Sequence, residues 1–296
     1  MFKKVASLIL LISLGNTATY AENGERRPLP QTENGERHTS DFQRIWLDSL
    51  VSIEVSTTPL QQVTSYSGTI SVGSGFLVYT PNEHIVLITA KHVVFGDEGK
   101  GSLRQGLAYR LSRNRKGNIM TDENETKITQ KAWLKSADED IAFRFMSTFD
   151  TYTALGYSAF LPTNKLEAGA SLFIIGFPMG IRSTQYSQPI LRKAIVARID
   201  DDGIILDGFV FPGNSGGPVV YQQPFSAVKT DSSLMEGDWF AGMVTSYIPY
   251  TDVAISQQTL RPRISFEENS GLSQIISADK ILKILQSPEF MALDKK

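Results

Sequence analysis

From Ile45 onward the chain is written in short β-type runs separated by glycine, proline and asparagine, and few folds accept that pattern. Val51-Ser-Ile-Glu-Val55 alternates apolar and polar residues, as a strand with one buried face does. Ser74–Tyr79 and His84–Thr89 read as a strand pair joined through Pro81-Asn82. Further runs lie at Gly106–Leu111, Lys127–Leu134, Ile141–Phe145, Ser171–Gly176, Ile190–Ile199, Gly203–Leu206, Pro218–Tyr221 and Trp239–Ser246. Many short strands at this spacing predict an all-β sandwich or barrel. Thr148–Leu166, with Gly156 and Pro162, is a candidate linker between two halves. One late segment breaks the pattern. Ile281, Leu282, Ile284 and Leu285 fall at helical spacing after Ser277 and before Pro288, which predicts a closing helix with Ser277 as its N-cap.

The N-terminal end has a different character. Lys3-Lys4, the apolar run Val5–Leu14 and the small residues Thr19 and Ala21 have the three-part layout of a signal peptide over residues 1–21, cut after Ala21. The run is about half of the ~20 residues that a spanning helix needs, so no stable membrane span is expected after cleavage. Residues 22–44 are polar and carry Glu-Asn-Gly-Glu-Arg twice, at 22–26 and 33–37, which reads as a flexible leader or pro-segment. The rest divides into 45–155 and 156–275 as two β halves, with 276–296 as the helix and tail.

Charge and cysteine content exclude several functions. A formal charge of −2 implies no basic face for nucleic acid. With no cysteine there is no disulfide framework, no thiol nucleophile and no cysteine-ligated zinc, and no cofactor or metal site is indicated. An exported chain without disulfides suits a bacterial envelope or secreted location.

The strongest local signal is Pro212-Gly-Asn-Ser-Gly-Gly-Pro218. Glycines around a serine permit unusual backbone conformations and close approach of another chain. A nucleophilic serine also needs backbone N–H groups aimed at the oxygen that becomes negative, and Gly213 and Ser215 are suited to supply them. A serine hydroxyl needs a base. Only His38, His84 and His92 exist; His38 lies in the polar leader and His84 follows a turn, which leaves His92 in Leu87-Ile-Thr-Ala-Lys-His-Val-Val94 at the end of an apolar strand. A carboxylate would then orient the imidazole. Asp140, directly before Ile141-Ala-Phe-Arg-Phe145, is the candidate, and Asp138 remains open two residues earlier.

The order His92, Asp140, Ser215, with Gly73-Ser-Gly-Phe-Leu-Val78 ahead of it and Ile174-Ile-Gly-Phe-Pro-Met-Gly180 between the last two, resembles the trypsin-like (chymotrypsin-fold) serine peptidases. The likeness is especially to bacterial members that lack disulfides, such as the HtrA-like and related groups. About 50 residues follow Ser246, so the resemblance is to the peptidase part without a PDZ domain. It covers about residues 45–250 and implies two antiparallel six-stranded β-barrels with a polypeptide-binding cleft between them. It further implies a catalytic triad of His92, Asp140 and Ser215, and an oxyanion hole from the Gly213 and Ser215 N–H groups. Phe209 would lie at the base of the pocket for the side chain before the cut, with Thr245, Ser246 and Tyr247 pairing to substrate backbone. An apolar residue there argues against Arg or Lys selectivity, although Asp207 is near in sequence. The absence of any histidine after His92 argues against glutamate selectivity. Gln222–Asp238 is longer than the usual turn and is either a surface insertion or a loop on the cleft rim. The competing reading is an inactive peptidase-like binding protein or chaperone. Natural substrate and oligomeric state are not encoded in these motifs.

Overall fold

The alternating runs become two antiparallel sheets. The computed structural model describes residues 42–57, 68–112, 119–121, 133–146, 153–181, 188–201, 203–222 and 237–295. The expected signal peptide, His38, most of the 22–44 leader and most of the 222–238 loop lie outside the described residues, as does the start of the Lys127–Leu134 run.

The first sheet contains β1 (Leu50–Ser56), β2 (Thr69–Tyr79), β3 (Ile85–Thr89), β4 (Leu107–Leu111), β5 (Ile119–Thr121), β6 (Leu134–Lys135) and β7 (Ala142–Met146). Their order is β5-β4-β1-β2-β3-β7-β6. The second contains β8 (Ser171–Gly176), β9 (Ile190–Asp200), β10 (Gly203–Asp207), β11 (Pro218–Gln222), β12 (Asp238–Ile255) and β13 (Pro262–Ser277), closed as β10-β13-β12-β11-β8-β9. This is an all-β, chymotrypsin-like architecture with a helical C-terminal end. The second half is the expected six-stranded barrel. The first has seven strands, and its short outer strands β5 and β6 do not pair with each other among the described residues, so it is a sheet and not a closed barrel.

Two apolar clusters hold the sheets. One joins the first sheet to Phe177, Val220, Phe240 and Met243, and the other fills the barrel around Leu172, Ile174, Val196, Leu206 and Val219. The rings of Phe76 from β2 and Phe240 from β12 meet at 4.9 Å, and Phe160 stands edge-on to Phe240 at 4.7 Å. This seam sets the two halves side by side.

Three local expectations need correction. β1 is buried on both faces, because its polar side carries Glu54 into an internal ion pair with Arg110 of β4. The run read as Trp239–Ser246 is part of an 18-residue strand, and β13 has no counterpart in the sequence reading. Its outer part is exposed on both faces, so burial imposes no alternation there. Pro288 does not end the helical region. α1 is the single turn Lys91–Val94; α2 spans Ala278–Leu285 and is capped by Ser277; α3, Pro288–Asp294, follows with Ser287 as its own cap. Proline fits the first turn, where its missing N–H has no partner to lose. Phe290 of α3 packs against Phe143 and Phe145 at 5.2 and 5.4 Å.

Candidate active site

His92 sits in α1, one turn beyond the buried strand β3. Its Nδ1 lies 2.7 Å from Asp140 Oδ2, and its backbone N–H donates to Asp140 Oδ1 at 3.0 Å. The Lys91 N–H donates to the Asp140 carbonyl at 3.2 Å, which ties the turn before β7 to α1. An ionised carboxylate only accepts, so this contact puts the ring proton on Nδ1 and leaves Nε2 as an acceptor. Asp138 is exposed, two residues away. Of the two carboxylates that the sequence left open, the fold brings Asp140 to the imidazole.

His84, set aside in the sequence because it follows a turn, has a structural partner. Its Nδ1 is 3.1 Å from Oδ1 of Asp294, a fully buried carboxylate that also accepts from Thr80 Oγ1 at 2.5 Å and Asn82 Nδ2 at 2.8 Å. This cluster anchors the end of α3 to the β2–β3 turn.

Ser215 lies on the loop before β11. The loop is held by Asn214, whose N–H donates to Phe211 O and whose Oδ1 accepts from Phe211 N–H, both at 2.9 Å. Gly213 has φ +99°, and a Cβ there would stand 2.3 Å from Phe177 O. Gly216 has φ +84°, and its Cβ would stand 2.1 Å from Ser74 O. Both positions therefore require glycine. Among the described residues nothing accepts a hydrogen bond from the Gly213 or Ser215 N–H. The Ser215 hydroxyl donates to Thr245 O at 3.2 Å, and no hydrogen bond joins it to His92. In unliganded sites such contacts commonly tighten only when substrate binds.

Sequence reasoning missed Ser74. It is fully buried in β2; its Oγ donates to Gly213 O at 2.6 Å and accepts from Phe177 N–H at 3.0 Å. Its N–H donates to Ser215 O at 2.8 Å. One side chain thus joins the first sheet, the 177–180 turn and the serine loop. The glycines on either side were the available signal, since a Cβ at Gly73 would come within 2.4 Å of Val93.

The other predicted residues flank this loop. Phe209 is 46% exposed, stacks on Phe211 at 6.4 Å, and lies 3.3 Å from where a Cβ on Gly271 would be. Arg192 stands over the Phe211 ring at 5.2 Å. Asp207 is exposed at the end of β10, paired with Leu272 and Ile195. Thr245, Ser246 and Tyr247 continue β12 past Ser215; Thr245 Oγ1 donates to Gln274 O and Ser246 Oγ to Gln274 Oε1. Among the described residues no group of three His, Asp or Glu side chains is placed to hold a metal ion.

A pair of antiparallel sheets, an imidazole–carboxylate contact, and a glycine-bounded serine whose loop comes so close to the chain before His92 that a Cβ on Gly216 would stand 3.0 Å from Ala90 N define the class. The family model described as the trypsin-like peptidase domain matches residues 73–224, half of the chain, and the chain belongs to that family. Two solved structures of the HtrA-type protease AlgW with a tripeptide, one of a serine-to-alanine variant, also match. The variant is 15% identical over 84% of this chain and 62% of its own, with a TM-score of 0.47. The other is 16% identical over 83% and 61%, with a TM-score of 0.46. The chain thus spans about three-fifths of the length of those structures. No curated protein sequence matches it.

Proposed function

We propose that this protein is an exported serine endopeptidase that hydrolyses peptide bonds through Ser215, His92 and Asp140. What carries the reading is one arrangement: an imidazole held through Nδ1 by Asp140, and a serine loop with two N–H groups that have no acceptor among the described residues.

The chemistry follows from those groups. A χ1 rotation takes the Ser215 hydroxyl from Thr245 O to His92 Nε2. As Oγ bonds to the peptide carbonyl carbon, Nε2 takes the hydroxyl proton. The carbonyl oxygen becomes negative and accepts from the Gly213 and Ser215 N–H groups. The C–N bond then breaks, and the amine leaves with the proton from His92. Water, deprotonated by His92 in turn, attacks the acyl carbon; the bond to Ser215 Oγ breaks, the acid product leaves, and His92 returns the proton to Oγ. Asp140 stays ionised and stabilises the imidazolium in both halves.

A polypeptide is the substrate. Its backbone pairs with Thr245–Tyr247, and the side chain before the cut meets Phe209, which favours small or medium apolar residues over Arg or Lys. Residues 1–21 direct export and are removed, which places the mature protein in the periplasm or outside a bacterial cell. No helix among the described residues is long and apolar enough to cross a membrane.

The test is a fluorophosphonate probe on the folded, mature protein. Wild type becomes labelled and degrades casein; Ser215→Ala does neither. A folded wild-type protein that takes no label would make the inactive binding-protein or chaperone reading the correct one. N-terminal sequencing of the exported form should begin at Glu22.

A further inference from the structure

The β12–β13 hairpin extends well past the barrel. β11 pairs with β12 only over Asp238–Met243. The last rungs on that edge are Gly216 N–H to Val244 O and Val244 N–H to Gly217 O, beside Ser215. From Thr245 to Ile255, β12 has β13 along one edge and, among the described residues, no strand along the other. Tyr247–Ile255 alone carries this open edge for roughly 27 Å, at ~3.4 Å per residue.

Two-stranded ribbons are marginal in water, and open edges invite another strand. This ribbon also exposes large apolar side chains between its charged ones. Residues directly opposite one another share a face, so the pairs Tyr250–Glu268, Asp252–Phe266 and Ala254–Ile264 line one side. Tyr250, Phe266 and Ile264 are 60%, 54% and 55% exposed there. Val253 and Ile255 are exposed on the other side. Apolar side chains grouped in this way mark a binding surface more than a solvated one.

We propose that this arm binds the segment of an extended polypeptide that lies upstream of the cut. The segment adds to the open edge of β12 as far as Ile255 and rests its apolar side chains on Tyr250, Ile264 and Phe266. The inference rests on the peptidase reading for the position of the cut. Continuity selects the occupant: the open edge begins at Thr245, whose carbonyl accepts from the Ser215 hydroxyl, so a strand that fills the edge leads into the cleft. All pairings in the barrel are antiparallel. An antiparallel addition runs residues N-terminal to the cut toward Ile255 and carries residues C-terminal to it away from the arm. The enzyme thereby selects long, unfolded chains over short peptides, by main-chain pairing more than by sequence.

The test compares a short peptide taken from a cleaved casein site with the same peptide extended by alternating valine and serine residues at either end. Binding is read on Ser215→Ala by fluorescence anisotropy, and turnover on wild type. N-terminal extension should tighten binding and raise kcat/KM through KM by about tenfold or more, as a few added backbone hydrogen bonds allow. C-terminal extension should change neither. Tyr250→Ser with Phe266→Ser should remove the gain and leave short-peptide turnover unchanged. The proposal is overturned by equal gains at both ends, by no gain, or by a gain that survives the double variant. It is also overturned by a concentration-dependent dimer of wild type that the double variant loses, since a second copy would then cover the arm. Failure of the peptidase reading looks different: no peptide is cut and Ser215 takes no label, while the binding comparison still decides the arm.

Discussion

Asp140 grips His92 twice, with one carboxylate oxygen on ring Nδ1 at 2.7 Å and the other on the backbone N–H at 3.0 Å. The second contact fixes where the ring starts and the first fixes how it turns. Both depend on the tight turn before β7 that presents the carboxylate to α1.

Asp140→Asn should therefore lower kcat by roughly 10³–10⁴-fold, because the amide no longer enforces the Nδ1–H tautomer. Asp138→Asn should stay within about twofold of wild type, as expected of an exposed side chain away from the ring. Steady-state kinetics on one casein-derived peptide measure both.

Gly216→Ala tests the packing beneath the serine. The added Cβ would meet Ser74 O at 2.1 Å and Thr89 Oγ1 at 2.2 Å, at a φ of +84°. A cost of about 2 kcal/mol or more is expected, read by denaturant unfolding. Activity should fall with it, since Ser74 N–H holds Ser215 O.

The buried pair of Glu54 and Arg110 gives a contrast of single and double changes. Arg110 Nε and Nη2 reach the two Glu54 oxygens at 3.0 and 3.1 Å, and Ser52 and Thr69 donate to the same carboxylate. Glu54→Ala should cost about 3–5 kcal/mol, because it strands a buried guanidinium. Glu54→Met with Arg110→Leu should recover most of that loss. Guanidinium denaturation of the three proteins decides it.

Asp238 supplies the pH dependence. Burial raises its carboxyl above the usual range, and hydrogen bonds with the Gln222 and Trp46 side chains offset part of the rise. A folded-state value above the unfolded one favours the folded form at low pH. That advantage is lost as pH climbs from about 4 through the raised value. Asp238→Asn carries no such loss. It should melt roughly 1–3 °C above wild type at pH 7, a modest gain because the carboxyl is only half buried, and match it near pH 3. Thermal unfolding at the two pH values measures the difference.

Much of this was legible because it is local. β8 begins and ends where the run Ser171–Gly176 does, since its unbroken apolar stretch Leu172–Ile175 and its bounding glycines act within a few residues. The need for glycine around Ser215 is a backbone constraint visible in seven letters. Glu54 was misread because alternation says which residues differ from their neighbours, not whether the polar side faces water. The β12–β13 arm left no signal, since its outer residues face solvent on both sides. Ser74 was hidden because its partners, Gly213 and Phe177, lie more than a hundred residues away.

The sequence by itself determined the β class, the few histidines that could serve as a base, and a serine loop only glycines could form. Tertiary structure alone decided that Asp140 and not Asp138 meets the imidazole, that Ser74 ties the two sheets beneath Ser215, and that an open strand edge leads away from Thr245. The division is physical: dihedral limits and side-chain periodicity act between neighbours in the chain, whereas an ion pair, a buried hydroxyl or an unfilled edge exists only after distant segments have packed.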